Sequence, residues 1–440
     1  MGDLRVLERP ERFYLGLDVG RRQHTVCAIA RSTFEAGDAR WQAAPTLKVD
    51  VNRTGYQRIA TLLARLTDDP TRHVVAGLEP TGGYYARTAY AFLHGLGLDV
   101  QWMKNNAVHD ARDAIYGKKT KTDPVDARLI ARLLFLREAV GHEYALSTGF
   151  DQVGAYATLR LLVNNRWKIR QAQARAGNQL TQVLDVVFPE IADCFAEPAS
   201  SSAVLALLRQ YPTPAAIAAA GRDEIYRIVV FESHAPRKAA AVPKLVDAAR
   251  NTIGISDGVA DLVAAQAFLI GQLQRLGDEL SMLDSRIADV LKLTPEAEIL
   301  LSFPVVKQTR AATILAAMGV PVTSFPNAKA LRRHLGWAVE QEHSGSSIRR
   351  ERLAVSGNRH SRRELRLWAL GLVNPRSPWT PFRAHYQRLT GPPSPKRPNV
   401  ALGHLAGKLT SVIYACTSRN EPYDQEKLAK TMGIEIPAAA

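Results

Sequence analysis

The chain has 440 residues, room for two or three domains, and a hydrophobic share of 46%, with no run of the roughly 18 uninterrupted apolar residues that a membrane span needs. Its 57 Lys and Arg against 42 Asp and Glu give a net charge of +15 and a pI near 9.8, which points either to a polyanionic partner such as nucleic acid or to a basic surface with no partner. Cys27, Cys194 and Cys416 are too scattered for a disulfide framework or zinc knuckle, and the charged opening MGDLRVLERPER lacks the apolar core of a secretion signal, so a cytoplasmic protein is expected.

FYLGLDVG (Phe13 to Gly20) reads as a buried strand, His24 to Arg31 as a second and Thr46 to Val51 as a third, with turn-like residues between them. Ile59, Leu62, Leu63 and Leu66 then follow helical spacing behind Thr54, a candidate N-cap. Arg72 to Glu79 is a fourth strand, Tyr84 to Leu96 a second helix and Leu98 to Met103 a fifth strand, before a helix from Asp123. This order predicts a ribonuclease-H-like α/β domain over residues 12–140.

Leu159 to Val187 reads as a polar amphipathic helix. Leu262, Leu269, Leu276, Leu283 and Val290 recur at intervals of seven, with Leu273, Leu280 and Ile287 four residues after the second, third and fourth, a coiled-coil seam that must bury its stripe against another helix. The 159–187 helix of the same chain is one candidate partner; self-association into a dimer or tetramer is the favoured one. Residues 150–293 are therefore read as a helical assembly region, within which the Ala-rich stretch Ala199 to Gly254 has no assigned role.

Residues 294–420 read as a basic, mainly α-helical domain, with ten arginines against four glutamates between Leu331 and Arg376. Pro375 to Pro398, with seven prolines, reads as an irregular connection before a last helix from Val400 to Cys416. Residues 421–440 form a tail whose end, Pro437 to Ala440, is expected to be disordered.

Four carboxylates stand out. Asp18 ends the first strand and Glu79 the fourth, and these strands are neighbours in a ribonuclease-H-like sheet; Asp123 and Asp126, three apart, share a helix face. Clustered carboxylates repel one another unless a hard cation compensates them, and two Mg²⁺ ions would do so while clamping the oxygens of a phosphoryl transfer. Asp18 could instead only end a strand in a turn, and Asp123 and Asp126 could only cap a helix that begins at Pro124. GLDVG is also similar to the first phosphate loop of sugar kinases and actin-like ATPases, but the second Gly-rich loop of such a kinase is missing.

The ordered set GLDVG, GLEPTGGYY and KTDPVDARLIARLL resembles the DEDD transposases of the insertion-sequence 110 family, whose N-terminal domain is similar to the Holliday-junction resolvase RuvC. A later stretch resembles the same family: LLSFPVVKQTRAATILAAMG, then the serine-glycine pair at Ser344-Gly345 and Gly357, Asn358 and Arg362 or Arg363. The family usually reads Pro-Gly-Ile-Gly where this chain has Pro304-Val305-Val306-Lys307, and Ala-Pro where it has Ala338-Val339.

The resemblance implies a transposase that cuts and exchanges DNA strands at the ends of an insertion element. Asp18, Glu79, Asp123 and Asp126 would hold Mg²⁺, Ser344 would attack the DNA phosphate, and a guide RNA encoded by the element would pair with the DNA. On its own residues, Ser344 in EHSGSSIRR is a loop serine near Ser346 and Ser347 that needs activation to act. Lys118, Lys119, Lys121, Arg349, Arg350, Arg359, Arg362, Arg363 and Arg366 are candidate nucleic-acid contacts, with a solvated basic face as the other reading for the arginines. The resemblance also implies association with the nucleoid. A structure-selective RuvC-like nuclease without a covalent intermediate, and a non-catalytic nucleic-acid scaffold, are the other two classes open.

Overall fold

Alternation along the first strand divides the N-terminal residues between two cores. Tyr14, Gly16 and Asp18 lie on one face, and Leu15, Leu17 and Val19 on the other, as the two-residue period of a strand requires. The computed structural model describes residues 11–80, 85–117, 120–141, 154–344, 348–353, 359–393 and 395–437. The chain divides into two units, one drawn from residues 1–158, 294–305 and 314–440, the other from residues 159–293 and 306–313.

The first unit begins with β1 (Phe13–Val19), β2 (Gln23–Ala30), α1 (Arg31–Glu35), α2 (Asp38–Gln42), β3 (Leu47–Asp50), α3 (Arg53–Leu66), α4 (Pro70–His73), β4 (Val74–Leu78), α5 (Ala86–Gly95), β5 (Asp99–Trp102), α6 (Asn105–Tyr116) and α7 (Asp123–Val140). The sheet order is β3-β2-β1-β4-β5; β1 pairs antiparallel with β2 and parallel with β4, so the expected first and fourth strands are neighbours. One face carries α7, with Leu129, Ile130, Leu133 and Leu134 packed on Tyr14, Ile29 and Val75; the other packs Leu15, Leu17 and Leu78 with Ile59 of α3 and Leu93 of α5.

Several local expectations change. Between β2 and β3 the chain forms α1 and α2 rather than simple turns, because Phe34 and Trp41 bury themselves there and the Trp41 indole donates to Asp38 at 2.8 Å. The cap of α3 is Asn52, whose Oδ1 accepts from Gly55 N at 2.8 Å, and not Thr54. Helix α6 lacks a counterpart in the sequence reading.

α8 (Ala155–Val187), α9 (Ile191–Cys194), α10 (Ser202–Gln210), α11 (Pro214–Tyr226), a π-turn at Arg227–Glu232, α12 (Ala241–Arg250) and α13 (Ala260–Leu291) follow. In the second unit Leu180 and Leu184 of α8 share a core with Leu269, Ile270 and Leu273 of α13, while Arg166 grips Asp284 with 2.5 and 3.1 Å hydrogen bonds. The two helices therefore run antiparallel, and α8 covers the seam of α13 along those residues. The 199–254 stretch is helical as expected and supplies much of this core, including Leu207, Ile217, Ile228 and Leu245.

The remaining elements are α14 (Ala297–Leu301), α15 (Gln308–Met318), α16 (Ala328–His334), β6 (Val339–Ser344), β7 (Ile348–Leu353), α17 (Arg359–Val373), α18 (Pro381–Thr390), α19 (Pro398–Arg419) and α20 (Gln425–Thr431). In the first unit α19 buries Leu402, Leu405, Leu409 and Ile413 among α16, α17 and α18. The β6–β7 hairpin interrupts the helical region, α18 stands within the stretch expected to be irregular, and α20 stands within the tail; residues 438–440 lie outside the described ones. No described helix is long and apolar enough to cross a membrane.

Candidate active site

Two Gly-Leu-acid triplets build the site. Gly16-Leu17-Asp18 and Gly77-Leu78-Glu79 stand side by side, since the parallel register pairs Gly16 with Gly77 and Leu17 with Leu78. The leucines point into the α3–α5 core, so the glycines and acids share the face that carries α7. A Cβ on Gly16 would stand 2.0 Å from the Ala127 carbonyl oxygen and 2.7 Å from Ala131 N, and one on Gly77 would meet Ile130 and Leu134 at 3.0 Å. Only glycine lets α7 lie this close to β1, and that contact brings the first turn of α7 to the end of the sheet.

All four acids meet there electrostatically. Burial, with Asp123 and Asp126 adding to it, pushes Asp18 up to about 6. Burial, then Asp126 and Asp18, pushes Glu79 up to about 7. Arg112 and Lys121 counteract both shifts. Asp126 is 3% exposed, whereas Asp123 is exposed at the helix start. The cap position of α7 is Thr122, followed by both aspartates in the first turn. Among the described residues no three His, Cys, Asp or Glu groups converge tightly enough to grasp one ion, and both oxygens of Asp126 are taken by Arg112. The donor set, four carboxylates of which Asp18 and Glu79 are pushed up by burial and by their acidic neighbours, is nevertheless that of a hard divalent cation.

The matches with known proteins run the length of the chain. A family model for a transposase of the IS110 DEDD type covers residues 15–189, and one for a transposase of the IS116/IS110/IS902 family covers residues 297–387. The "Insertion element IS110 uncharacterized 43.6 kDa protein" of Streptomyces coelicolor is 27% identical over 442 residues, spanning 97% of this chain and 98% of its own. The chain belongs to the IS110 transposase family.

In this transposase Ser344 closes strand β6, where the register pairs it with Ile348 and His343 with Arg349. It is thus a strand-end residue rather than a loop residue, and Gly345, Ser346, Ser347, Gly357 and Asn358 lie outside the described residues, as do Lys118 and Lys119. Along α17, Arg359, Arg363 and Arg366 are exposed; Arg366 donates to Asn399 Oδ1 at 2.9 Å. Arg362 differs. Its Nε donates to Gly336 O at 3.0 Å and its guanidinium fills the space that a side chain at Gly336 would need, so it braces the turn before the hairpin. The turn at Pro304-Val305 keeps a left-handed backbone without the family's glycine: Val305 has φ 63°, and its Cγ1 would meet a Cβ on Gly371 of α17 at 2.9 Å.

Two features escaped the sequence reading. Arg112, on the unforeseen α6, is the partner of Asp126. His24 is fully buried on β2; it shares a 3.1 Å hydrogen bond with the Tyr56 hydroxyl, which in turn meets Thr88 Oγ1 at 2.9 Å, tying β2 to α3 and to the start of α5. Neither lies in a recognisable motif; His24 belongs to the α3 side of the sheet, and only the repeated Gly-Leu-acid pattern could have drawn attention to the opposite face, where Arg112 stands.

Proposed function

We propose that this IS110-family transposase cuts and exchanges DNA strands at the ends of its insertion element by combining a metal-loaded carboxylate site with a serine nucleophile. The observation that carries the reading is the pairing of Gly16-Leu17 with Gly77-Leu78, which brings the acids that follow, Asp18 and Glu79, to the sheet end where they and Asp126 of α7 act on one another. The order β3-β2-β1-β4-β5 supports a ribonuclease-H-like, RuvC-like identity for this domain. Asp18, Glu79, Asp123 and Asp126 would hold the divalent cations, two Mg²⁺ ions, which when bound supply positive charge to the phosphate oxygens.

The chain's own residues do the rest. The Ser344 oxygen bonds to the DNA phosphorus while one bond from phosphorus to a deoxyribose oxygen breaks, and that oxygen leaves as a hydroxyl. The proton that the serine loses is the one that the leaving oxygen gains, so the exchange needs no further reactant. The exposed Arg359, Arg363 and Arg366, with Arg349, Arg350 and Lys121, hold the phosphate backbone. A guide RNA fits the same basic character and the family membership, and a homo-oligomer would present the several strands that exchange requires.

The test is a trapping experiment on a nicked or phosphorothiolate DNA substrate, followed by denaturation and mass mapping of the modified peptide. An adduct on Ser344, lost in Ser344→Ala, and loss of cleavage in Asp18→Asn with the fold retained, are the expected results. Cleavage by Ser344→Ala at the parental rate with no adduct would leave a RuvC-like hydrolytic nuclease. Normal cleavage by Asp18→Asn would remove the metal reading.

A further inference from the structure

Arg112 is buried where few arginines are: 8% exposed, at the end of a sheet already crowded with acids. Its Nε donates to Asp126 Oδ1 at 2.7 Å and its Nη2 to Oδ2 at 3.1 Å, a fork that engages both carboxylate oxygens at once. Helices α6 and α7 pack together around this pair, so neither partner can swing to water without separating them. A buried carboxylate left alone would strongly disfavour the folded state. The same guanidinium is close enough to act on Asp18 and Glu79.

We propose that Arg112 is a positioning residue serving as the resident counter-cation of the carboxylate cluster, so that it and the divalent cations bind Asp126 in competition. The inference rests on the metal reading given above. Without divalent cation the guanidinium supplies the positive charge beside Asp126 and its fork fixes that carboxylate at the sheet end. Loading then requires the incoming cation to share or displace that fork and to approach an existing positive charge, which weakens its binding to the protein alone. Phosphate oxygens of bound nucleic acid add negative charge and further ligands, so loading is favoured when the strand to be cut is in place.

The experiment is a Mn²⁺ titration of the full-length protein, free Mn²⁺ being read by electron paramagnetic resonance, with thermal melts in parallel. Arg112→Met, which removes the charge and keeps most of the volume, should bind Mn²⁺ about tenfold more tightly or better. It should also melt lower than the parent without cation and recover on adding Mn²⁺. Arg112→Lys keeps the charge but frees one Asp126 oxygen, and should tighten binding by a smaller factor; it decides the matter alone if the methionine variant does not fold. Equal or weaker Mn²⁺ binding by the variants, with parental binding that Asp18→Asn abolishes, would overturn this role for Arg112 while leaving the metal site standing. Absence of Mn²⁺ binding in the parent and every variant would overturn the metal reading and this inference together.

Discussion

At the scale of single residues, the raised acids make the site a source of pH-dependent instability. Asp18 and Glu79 hold protons more tightly when folded than when unfolded, so the folded state gains from proton uptake. Their contribution is most favourable below the ordinary carboxylate range, and it declines as pH rises through that range towards about 6 for Asp18 and about 7 for Glu79. On the proposed metal reading divalent cation replaces the lost protons, so Mg²⁺ should raise the melting temperature more at pH 8 than at pH 5, as scanning calorimetry at the two pH values would read. A pH-independent increment would contradict cation binding at these carboxylates. Val305 offers a second test: replacing it with glycine removes a left-handed β-branched residue and should stabilise the protein by about 1 kcal/mol, measured by urea unfolding. The positions of Asp18 and Glu79 at strand ends were legible, because hydrophobic runs ending in Gly-Leu-acid announce themselves. The role of Arg112 was not, since nothing local distinguishes an arginine facing a carboxylate fourteen residues later from one facing water.

Among elements, the N-terminal strands and the two long helices could be read from periodicity, whereas α6 and the β6–β7 hairpin could not. NNAVHDARDAIY holds two aspartates and few large apolar residues, and it is helical because Ala107 and Val108 pack beneath α7. VEQEHS and IRRERL are mostly charged or polar, with apolar residues only at their ends, so no alternating stripe marks them; their pairing is a backbone ladder from Val339 and Leu353 to Ser344 and Ile348. The contact between α7 and the sheet gives the sharpest prediction at this scale. Gly16→Ala must push α7 away from β1, and should cost about 3 kcal/mol in chemical denaturation, at the upper end of overpacking effects. If that variant is as stable as the parent, the close approach of the helix is wrong.

For the whole molecule, the heptad seam of α13 is buried or half-buried along its length, and the exposed apolar side chains of that helix lie off it. Leu280 and Ile287 are buried, but Met282 and Phe268 are each 65% exposed, and Met282 lines a groove with Asn165, Ile169 and Leu283. Assembly of protomers through α13 would use these exposed side chains. Met282→Glu with Phe268→Ser should lower the sedimentation mass without lowering the melting temperature, whereas Leu280→Asp should unfold the second unit; a parental mass in the first variant would place the oligomer contact elsewhere.

The first unit draws residues from both ends of the chain, with residues 159–293 inserted between them. A ribosome therefore completes the strands bearing Asp18 and Glu79 well before it reaches Ser344, a lag of roughly 13 to 53 s at ordinary elongation rates. During that interval the nascent chain carries the carboxylates but neither the serine nor the arginines of α17. On the proposed reaction, premature termination anywhere in the inserted helices would release a protein with half of its chemistry, unable to complete a strand exchange however well its first sheet had folded.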